Sequence, residues 1–163
     1  MMRALLLALA LSVCATSAHA EDPGRAFAPL IGCWRGTFEG DAEMRDTRCF
    51  ERVFNGRYVR DTHNVRPGTY GGETMYFFDV QQQTIAFTYY ASDGGMSTGH
   101  GRAERGGFVF DEHNYVGADG QTLRMRARWT LDGADRFVAT TEVERDGGWQ
   151  PWGRITYQRQ PAR

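Results

Sequence analysis

The sequence predicts an all-β fold, an antiparallel up-and-down barrel of about ten strands that follows a short helix. From residue 33 onward, hydrophobic and polar residues alternate with the period of two that half-buried strands show. Turn-forming residues recur roughly every eight to twelve residues. The chain also has 20 glycines and 13% aromatic residues, a composition typical of strands joined by tight turns.

The N-terminus has the three parts of a cleaved secretory leader. Arg3 supplies a positive start, residues 4–11 form an apolar run, and Ala18-His19-Ala20 is the small-x-small pattern that signal peptidase recognises. The run is shorter than the roughly 20 residues that span a bilayer. We therefore expect cleavage after Ala20, and residues 21–163 as one domain in the periplasm or outside the cell.

Two further features narrow the class of protein. Cys14 is not interpreted as a lipid-attachment site, because Val13 precedes it where a small residue is required. The chain has 19 basic and 20 acidic residues and the leader holds one of the basic ones, so the mature domain has a net charge of −2. This balance argues against nucleic acid and against an anionic membrane surface as partners.

Cys33 and Cys49 are the two cysteines of the mature chain, and an even number in an exported protein suggests a disulfide. Asp41 lies midway between them, so a hairpin centred on it places the two cysteines opposite each other. Such a bridge stabilises by about 3 kcal/mol in the chain-entropy model. Free thiols or a two-cysteine metal site are the alternatives, and no histidine at ligand spacing favours a metal.

The helix begins at Asp22 as N-cap and Pro23 in the first helical position. It carries Phe27, Leu30 and Ile31 on roughly one side and is too short to be stable without packing on the barrel. Nine turn signals then divide ten strands. They are Gly40-Asp41, Asn55-Gly56, Pro67-Gly68 with Gly71-Gly72, Gln81 to Gln83, Asp93-Gly94-Gly95, Gly106-Gly107, Asp119-Gly120, Asp132-Gly133 and Asp146-Gly147-Gly148.

The clearest strand covers residues 122–131. A three-residue loop between it and the next strand keeps the apolar faces of both strands on one side. That register sets Arg126 opposite Glu142 and Arg124 opposite Glu144, pairs worth a few tenths of a kcal/mol at the barrel exterior. The inward residues are Leu123, Met125, Ala127, Trp129 and Leu131.

The run from Gly32 to Gly36 holds a G-x-W-x-G pattern at the entry of the first strand. Trp34 is expected to plug one end of the barrel, with the glycines letting the chain pass close to it. Arg154 and Arg159 in the last strand are the candidates for stacking on the indole, and Arg154 is assigned a structural role there.

With the ten strands, this motif resembles the calycin superfamily, which includes lipocalins, fatty-acid-binding proteins and haem-binding nitrobindins. The remaining chain is similar to uncharacterised small bacterial calycin-like proteins, over about residues 27–159. The resemblance implies an interior that holds a small apolar ligand, and in nitrobindins haem bound by a histidine near the C-terminal end. The last three strands here contain no histidine, so His113 is the displaced candidate and no cofactor is predicted. The matching segments are Asn55-Gly56-Arg57-Tyr58, Tyr70-Gly71-Gly72-Glu73, Tyr76 to Asp79 and Gly99 to Phe110.

The histidines do not form a recognised catalytic motif. His63 follows Asp61 by two residues and His113 follows Asp111, so each carboxylate can orient an imidazole on the same strand face, or each pair can simply be solvated. His100 lies in a strand of small residues and faces either a cavity or solvent. No Ser-His-Asp order, phosphate loop or metal motif is present, so no catalytic residue and no metal ligand is predicted.

The aromatic strands are the predicted walls of a ligand pocket. Tyr58, Arg60 and Thr62 are expected to form an inward polar row whose arginine anchors a ligand carboxylate. The predicted ligand-binding set is Tyr58, Arg60, Phe77, Phe87, Tyr89, His100 and Trp129.

Three functions remain open at this stage. The favoured one is an exported barrel that binds a small apolar or amphipathic molecule without catalysis. The second is a haem protein or a histidine-dependent enzyme, which requires that histidines converge inside the barrel. The third is a structural protein with a filled barrel and an apolar contact surface.

Overall fold

A computed structural model describes residues 23–161, which form a closed barrel of ten strands. Each strand pairs antiparallel with the next one in sequence, and the first pairs with the last to close the barrel. The predicted fold class is therefore confirmed. The predicted leader and the predicted cap Asp22 lie outside the described residues. The elements are α1 (Pro23–Ala26), a 3-10 turn (Ala28–Leu30), β1 (Gly32–Phe38), β2 (Asp41–Val53), β3 (Tyr58–Arg66), β4 (Gly71–Asp79), β5 (Thr84–Ala91), β6 (Met96–Glu104), β7 (Gly107–Val116), β8 (Thr122–Leu131), β9 (Arg136–Arg145) and β10 (Gly148–Arg159).

The N-terminal segment closes one end of the barrel. Phe27 and Leu30 are completely buried there, and the Phe27 ring lies 4.5 Å from the rings of both Tyr76 and Phe108. The four-residue helix α1 has too few hydrogen bonds to be stable alone, so this burial holds it in place. Apolar area removed from water contributes about 25 cal/mol per Å². This end of the interior is filled with side chains. We call it the closed end.

Trp34 lies at the closed end as predicted and donates its indole N–H to the Leu30 carbonyl oxygen at 2.7 Å. The guanidinium carbon of Arg159 lies 4.1 Å from the centre of its ring. The assignment of Arg154 to this role is wrong. Arg154 is half exposed on the outer face, 3.7 Å from Glu39, because it stands at an odd offset from Arg159 on the same strand.

The predicted disulfide joins Cys33 to Cys49, which face each other in the β1–β2 ladder. The hairpin is not centred on Asp41. Its turn is Glu39-Gly40, and the register shifts between Thr37 and Phe38, so that β2 contains extra residues near its start. The bulge compensates for the displaced turn, which is why the cysteines still meet.

The register predicted for the β8–β9 hairpin is confirmed. Arg126 pairs with Glu142 at 2.7 Å, and Arg124 pairs with Glu144 at the same distance, on the outer face. The inward residues of β8 face the barrel interior as predicted. Residues 23–161 contain no helical segment with the length and apolar character of a membrane span.

The predicted inward row Tyr58, Arg60 and Thr62 is wrong by one residue. Val59 and Asp61 are the completely buried residues of β3, whereas Arg60 is 40% exposed and pairs with Glu51 on the outer face. The physical reason is the period of two: Cys49 faces outward and pairs with Thr62, so the whole alternate set of β3 faces outward with it.

Candidate functional site

Beyond the closed end, the barrel keeps a cavity of about 670 Å³. This volume lies within the range of small-molecule pockets, about 300–1,000 Å³. Its mouth lies among the loops at the opposite end of the barrel, where Tyr70 and Trp152 are about half exposed. We call this half of the molecule the open end. The apolar and aromatic wall includes Val65, Phe87, Phe110, Leu123, Met125, Ala127, Trp129, Ala139 and Ile155.

A buried ion pair forms part of the cavity floor. The Nε of Arg48 donates to Asp61 Oδ1 at 3.0 Å, and the Asp61 side chain is 0% exposed while that of Arg48 is 13% exposed. The Tyr76 hydroxyl, 3.4 Å away, donates to the other carboxylate oxygen of Asp61. The guanidinium lies 5.0 Å from the centre of the Trp129 ring, so the cation also contacts an aromatic face.

A second chain of polar contacts leads from the floor to the mouth. Tyr157 donates its hydroxyl to Asp46 Oδ2 at 2.6 Å, and Asp46 Oδ1 lies 3.4 Å from His63 Nδ1. His63 Nε2 lies 3.0 Å from the hydroxyl of Tyr89, which lies 2.9 Å from the hydroxyl of Tyr70. The chain therefore connects a 1% exposed carboxylate to a tyrosine at the surface.

The two buried carboxylates differ in their electrostatic environment. Burial raises the pKa of Asp61, and the adjacent charge of Arg48 opposes that rise. Burial acts on Asp46 in the same direction, but the contacts with His63 and the charge of Arg48 outweigh it and lower the pKa of Asp46. Burial also penalises charge on Arg48, yet the pKa of Arg48 is raised because Asp61 and the other acidic groups surround it.

Arg48 has hydrogen-bonding capacity that the protein does not use. A guanidinium has five N–H bonds, and among the described residues only the Nε–H of Arg48 has a protein acceptor. The terminal nitrogens of Arg48 have no protein acceptor in the described part of the chain but are not fully buried. Within residues 23–161, Asp46 Oδ1 is the one fully buried polar side-chain atom without a hydrogen-bond partner. The arginine lines the cavity, so its free N–H groups reach the cavity space.

Three of the seven predicted ligand-binding residues line the cavity: Phe87, Tyr89 and Trp129. Three others, Tyr58, Phe77 and His100, lie on the outer face in one lateral row across β3 to β6, together with Ala86. The His100 Nε2 lies 3.5 Å from Asp79 on that outer surface. Arg60 is likewise outside, so the predicted carboxylate anchor is not in the cavity.

His113 lines the cavity, but Asp111 does not orient it through its carboxylate. His113 Nδ1 lies 2.7 Å from the backbone oxygen of Asp111, whose side chain pairs with Arg102 on the outer face. The β6–β7 and β7–β8 registers both shift at this place, and the bulge turns the two residues to opposite sides. Burial lowers the pKa of His113, which favours the neutral imidazole.

His63 is brought to the same interior face as Asp61, as its two-residue spacing indicated, but its nearest carboxylate is Asp46 on the neighbouring strand. Sequence reasoning missed Asp46, Arg48 and Tyr157.

Within residues 23–161, no group of three or more histidine, cysteine or acidic side chains is placed to hold a metal ion. No protein-family model matches the chain, and no curated protein matches it significantly.

Proposed function

We propose that this chain is an exported binding protein of the calycin type that holds one small amphipathic molecule inside its barrel. The observation that carries the proposal is the coexistence of an apolar cavity of about 670 Å³ with unused arginine N–H groups at its floor. Small-molecule sites combine a mostly apolar wall with a few convergent polar groups in this way.

The cavity wall and the cavity floor would contact different parts of the ligand. The apolar part would lie against Phe87, Phe110 and Met125, and the polar end would accept hydrogen bonds from Arg48. Arg48 is held by its hydrogen bond to Asp61 and by its contact with the Trp129 ring, so the guanidinium is fixed before a ligand arrives. Groups that are fixed in advance lose less conformational entropy on binding.

Two observations support export. The leader-like N-terminus ends in the small-x-small pattern at Ala18-His19-Ala20, and the mature domain carries the Cys33–Cys49 disulfide. Structural disulfides persist chiefly in oxidising compartments. A binding protein outside the cytoplasm would meet ligands that are taken up, released or sequestered there.

The test is native mass spectrometry of the protein purified from the exported fraction of its host, compared with two matched variants. Thr141 lines the cavity and Thr140, its neighbour on β9, does not. We expect a co-purifying mass in the wild type and in T140W, and its loss in T141W, where the indole occupies the cavity. An identical mass retained by T141W, or no ligand after offering a library of amphipathic compounds, would contradict the proposal.

Haem is the second candidate, favoured by His113. Its imidazole lines the cavity, is kept neutral by burial, and is oriented through Nδ1 by a backbone oxygen, which suits a metal ligand. His113, with the Phe87 ring 5.0 Å beside it, would hold the haem, which would supply binding of small molecules at iron. A haemin titration followed by absorbance should show a ligated spectrum that H113A loses and H100A keeps.

A further inference from the structure

We infer that the ligand's polar end is uncharged and accepts hydrogen bonds, as a carbonyl, amide or ester does, and is neither a carboxylate nor an ammonium group. This inference rests on the proposed function and specifies its ligand class. It follows from which polar atoms of the floor reach the cavity, from the charges already present there, and from the charges at the mouth.

Two charged residues of the floor line the cavity, Asp46 and Arg48, and Arg48 is the one whose polar atoms are open to a ligand, because one oxygen of Asp46 is fully buried and the other accepts from Tyr157. Arg48 lines the cavity with N–H groups that no described residue accepts. Five donors in a planar fork and no acceptor define what a guanidinium can bind. A ligand atom placed against Arg48 must therefore be an acceptor, and an oxygen with two lone pairs can take two N–H groups at once.

The buried carboxylates cannot receive a ligand cation. Asp61 is completely buried, and its oxygens accept from Arg48 and Tyr76. Asp46 is 1% exposed, with Oδ2 taken by Tyr157 and Oδ1 covered beside His63. An ammonium group at the floor would meet the Arg48 cation first, and like charges at close range repel.

A ligand anion meets the opposite difficulty. The guanidinium already has the Asp61 carboxylate at 3.0 Å, and Asp46 lies two positions away on the same inward face of β2. A further negative charge would be the third around one cation, in a place where burial makes an uncompensated charge costly. A neutral acceptor takes the free N–H groups without adding charge.

The mouth adds to this discrimination. The five loops between the strands at the open end contain four acidic residues, Glu39, Asp93, Asp119 and Asp146. Arginines at the strand ends reach two of these loops, since Arg154 lies 3.7 Å from Glu39 and Arg66 donates to the Gly68 oxygen. Asp93 itself lines the cavity. The screening length at physiological ionic strength is about 8 Å, so these carboxylates act on a molecule that passes between the loops. Asp93, which lines the cavity and has no arginine partner among the described residues, would disfavour an anion beside it.

The test uses three probes with one chain length and different end groups: decanamide, decanoate and decylammonium. Affinities are measured by calorimetry with the full mature protein at pH 7.5. We expect decanamide to bind roughly tenfold or more tightly than either ion, the size of effect that one well-placed or unpaired polar group produces. T141W should lose all binding and T140W should keep the wild-type order.

The outcomes separate the inference from the proposed function. Equal affinities, or tightest binding of decanoate or decylammonium, would overturn the inference while leaving a binding barrel. Failure of all three probes and of uncharged amphipathic compounds in general would overturn the proposed function itself.

R48K provides a second readout, since it keeps the charge and loses the planar fork. We expect R48K to lower the affinity for decanamide more than the affinities for decanoate and decylammonium. An unchanged decanamide affinity would contradict the role of Arg48.

Discussion

The two ends of the barrel are built from the same ten strands, yet their interiors differ. At the closed end, Phe27, Trp34 and Phe137 are almost completely buried and pack ring against ring. Towards the open end, inward positions of the same strands line a cavity, and the charged residues Arg48 and Asp46 lie at its floor, next to the closed end. The difference shows how one closed sheet can separate a filled part that stabilises the fold from a part that keeps a cavity.

The separation has an energetic basis. Aromatic side chains at the closed end remove large apolar areas from water, which is the main favourable contribution to folding. Buried charges at the cavity floor contribute little net stability, because desolvation opposes their mutual attraction. Removing one partner of a buried ion pair, however, leaves the other charge uncompensated, so substitutions at the floor and at the closed end should destabilise the fold for different reasons.

The largest expected effect is at the closed end. F27A removes a completely buried ring from the centre of the aromatic core and should lower the free energy of unfolding by about 3–5 kcal/mol. Urea denaturation measures it. The matched control is F54A, because Phe54 is 69% exposed, and this variant should change stability by less than about 0.5 kcal/mol. Equal losses would mean that the closed end is not the stabilising region.

Removing Arg48 should be the next largest effect, for a different reason. R48M leaves the Asp61 carboxylate buried without its partner, which should cost about 3–4 kcal/mol. R126M removes an exterior partner of Glu142 and should cost less than about 1 kcal/mol. Adding D61N to R48M should restore part of the loss, since the stranded charge is then gone. A double variant as unstable as the sum of its parts would argue against that cause.

The disulfide, which lies beside Trp34 at the closed end, should stabilise the whole fold without affecting binding. Reduction, or the C33S/C49S variant, should lower the free energy of unfolding by about 3 kcal/mol, because the bridge restricts the unfolded chain. Decanamide affinity measured on the folded fraction should stay unchanged, since neither cysteine lines the cavity. A loss of affinity in the folded reduced protein would show that the two ends are coupled.

The smallest expected effect concerns pH. Burial lowers the pKa of His113 below its value in the unfolded chain, so the unfolded state takes up a proton more readily than the folded state. Stability should therefore fall as the pH drops below about 6.5, by at most about 1.4 kcal/mol per pH unit from this group. H113Q should flatten the profile between pH 7 and 5 relative to wild type. H100Q, on the outer face, serves as the control, and an H113Q profile that parallels wild type would contradict the assignment.

Most of the fold could be predicted from the sequence because its signals are local. Turn residues and the period of two determine where strands begin and which faces are apolar, as in residues 122–131. The floor of the cavity was missed because it joins residues from β2, β3 and β10, which no local pattern connects. Charged residues in a strand normally lie on an outer face, so residue type alone would place Asp46 and Arg48 outside the barrel.

The inward and outward alternation of neighbouring strand residues would have placed Arg48 inside the barrel and Arg60 outside it. If Trp34 faces inward, Cys33 faces outward, and so does its partner Cys49. Arg48 then faces inward as the neighbour of Cys49. The Asn55-Gly56 hairpin sets Cys49 opposite Thr62, which turns Arg60 outward in the same step. The extra room beside Phe87 has no such signal, because it depends on how the side chains of all strands pack.

The most direct test of the central claim uses the methionines as probes. Met44 and Met125 line the cavity, whereas Met75 and Met96 do not. Carbon-13 methyl spectra of residues 21–163 would be recorded during a titration with decanamide. We predict saturable shifts of the Met44 and Met125 methyl signals, with those of Met75 and Met96 unchanged. Shifts confined to Met75 or Met96, or no shift at any methionine at saturating decanamide, would contradict a ligand held in the open end of the barrel.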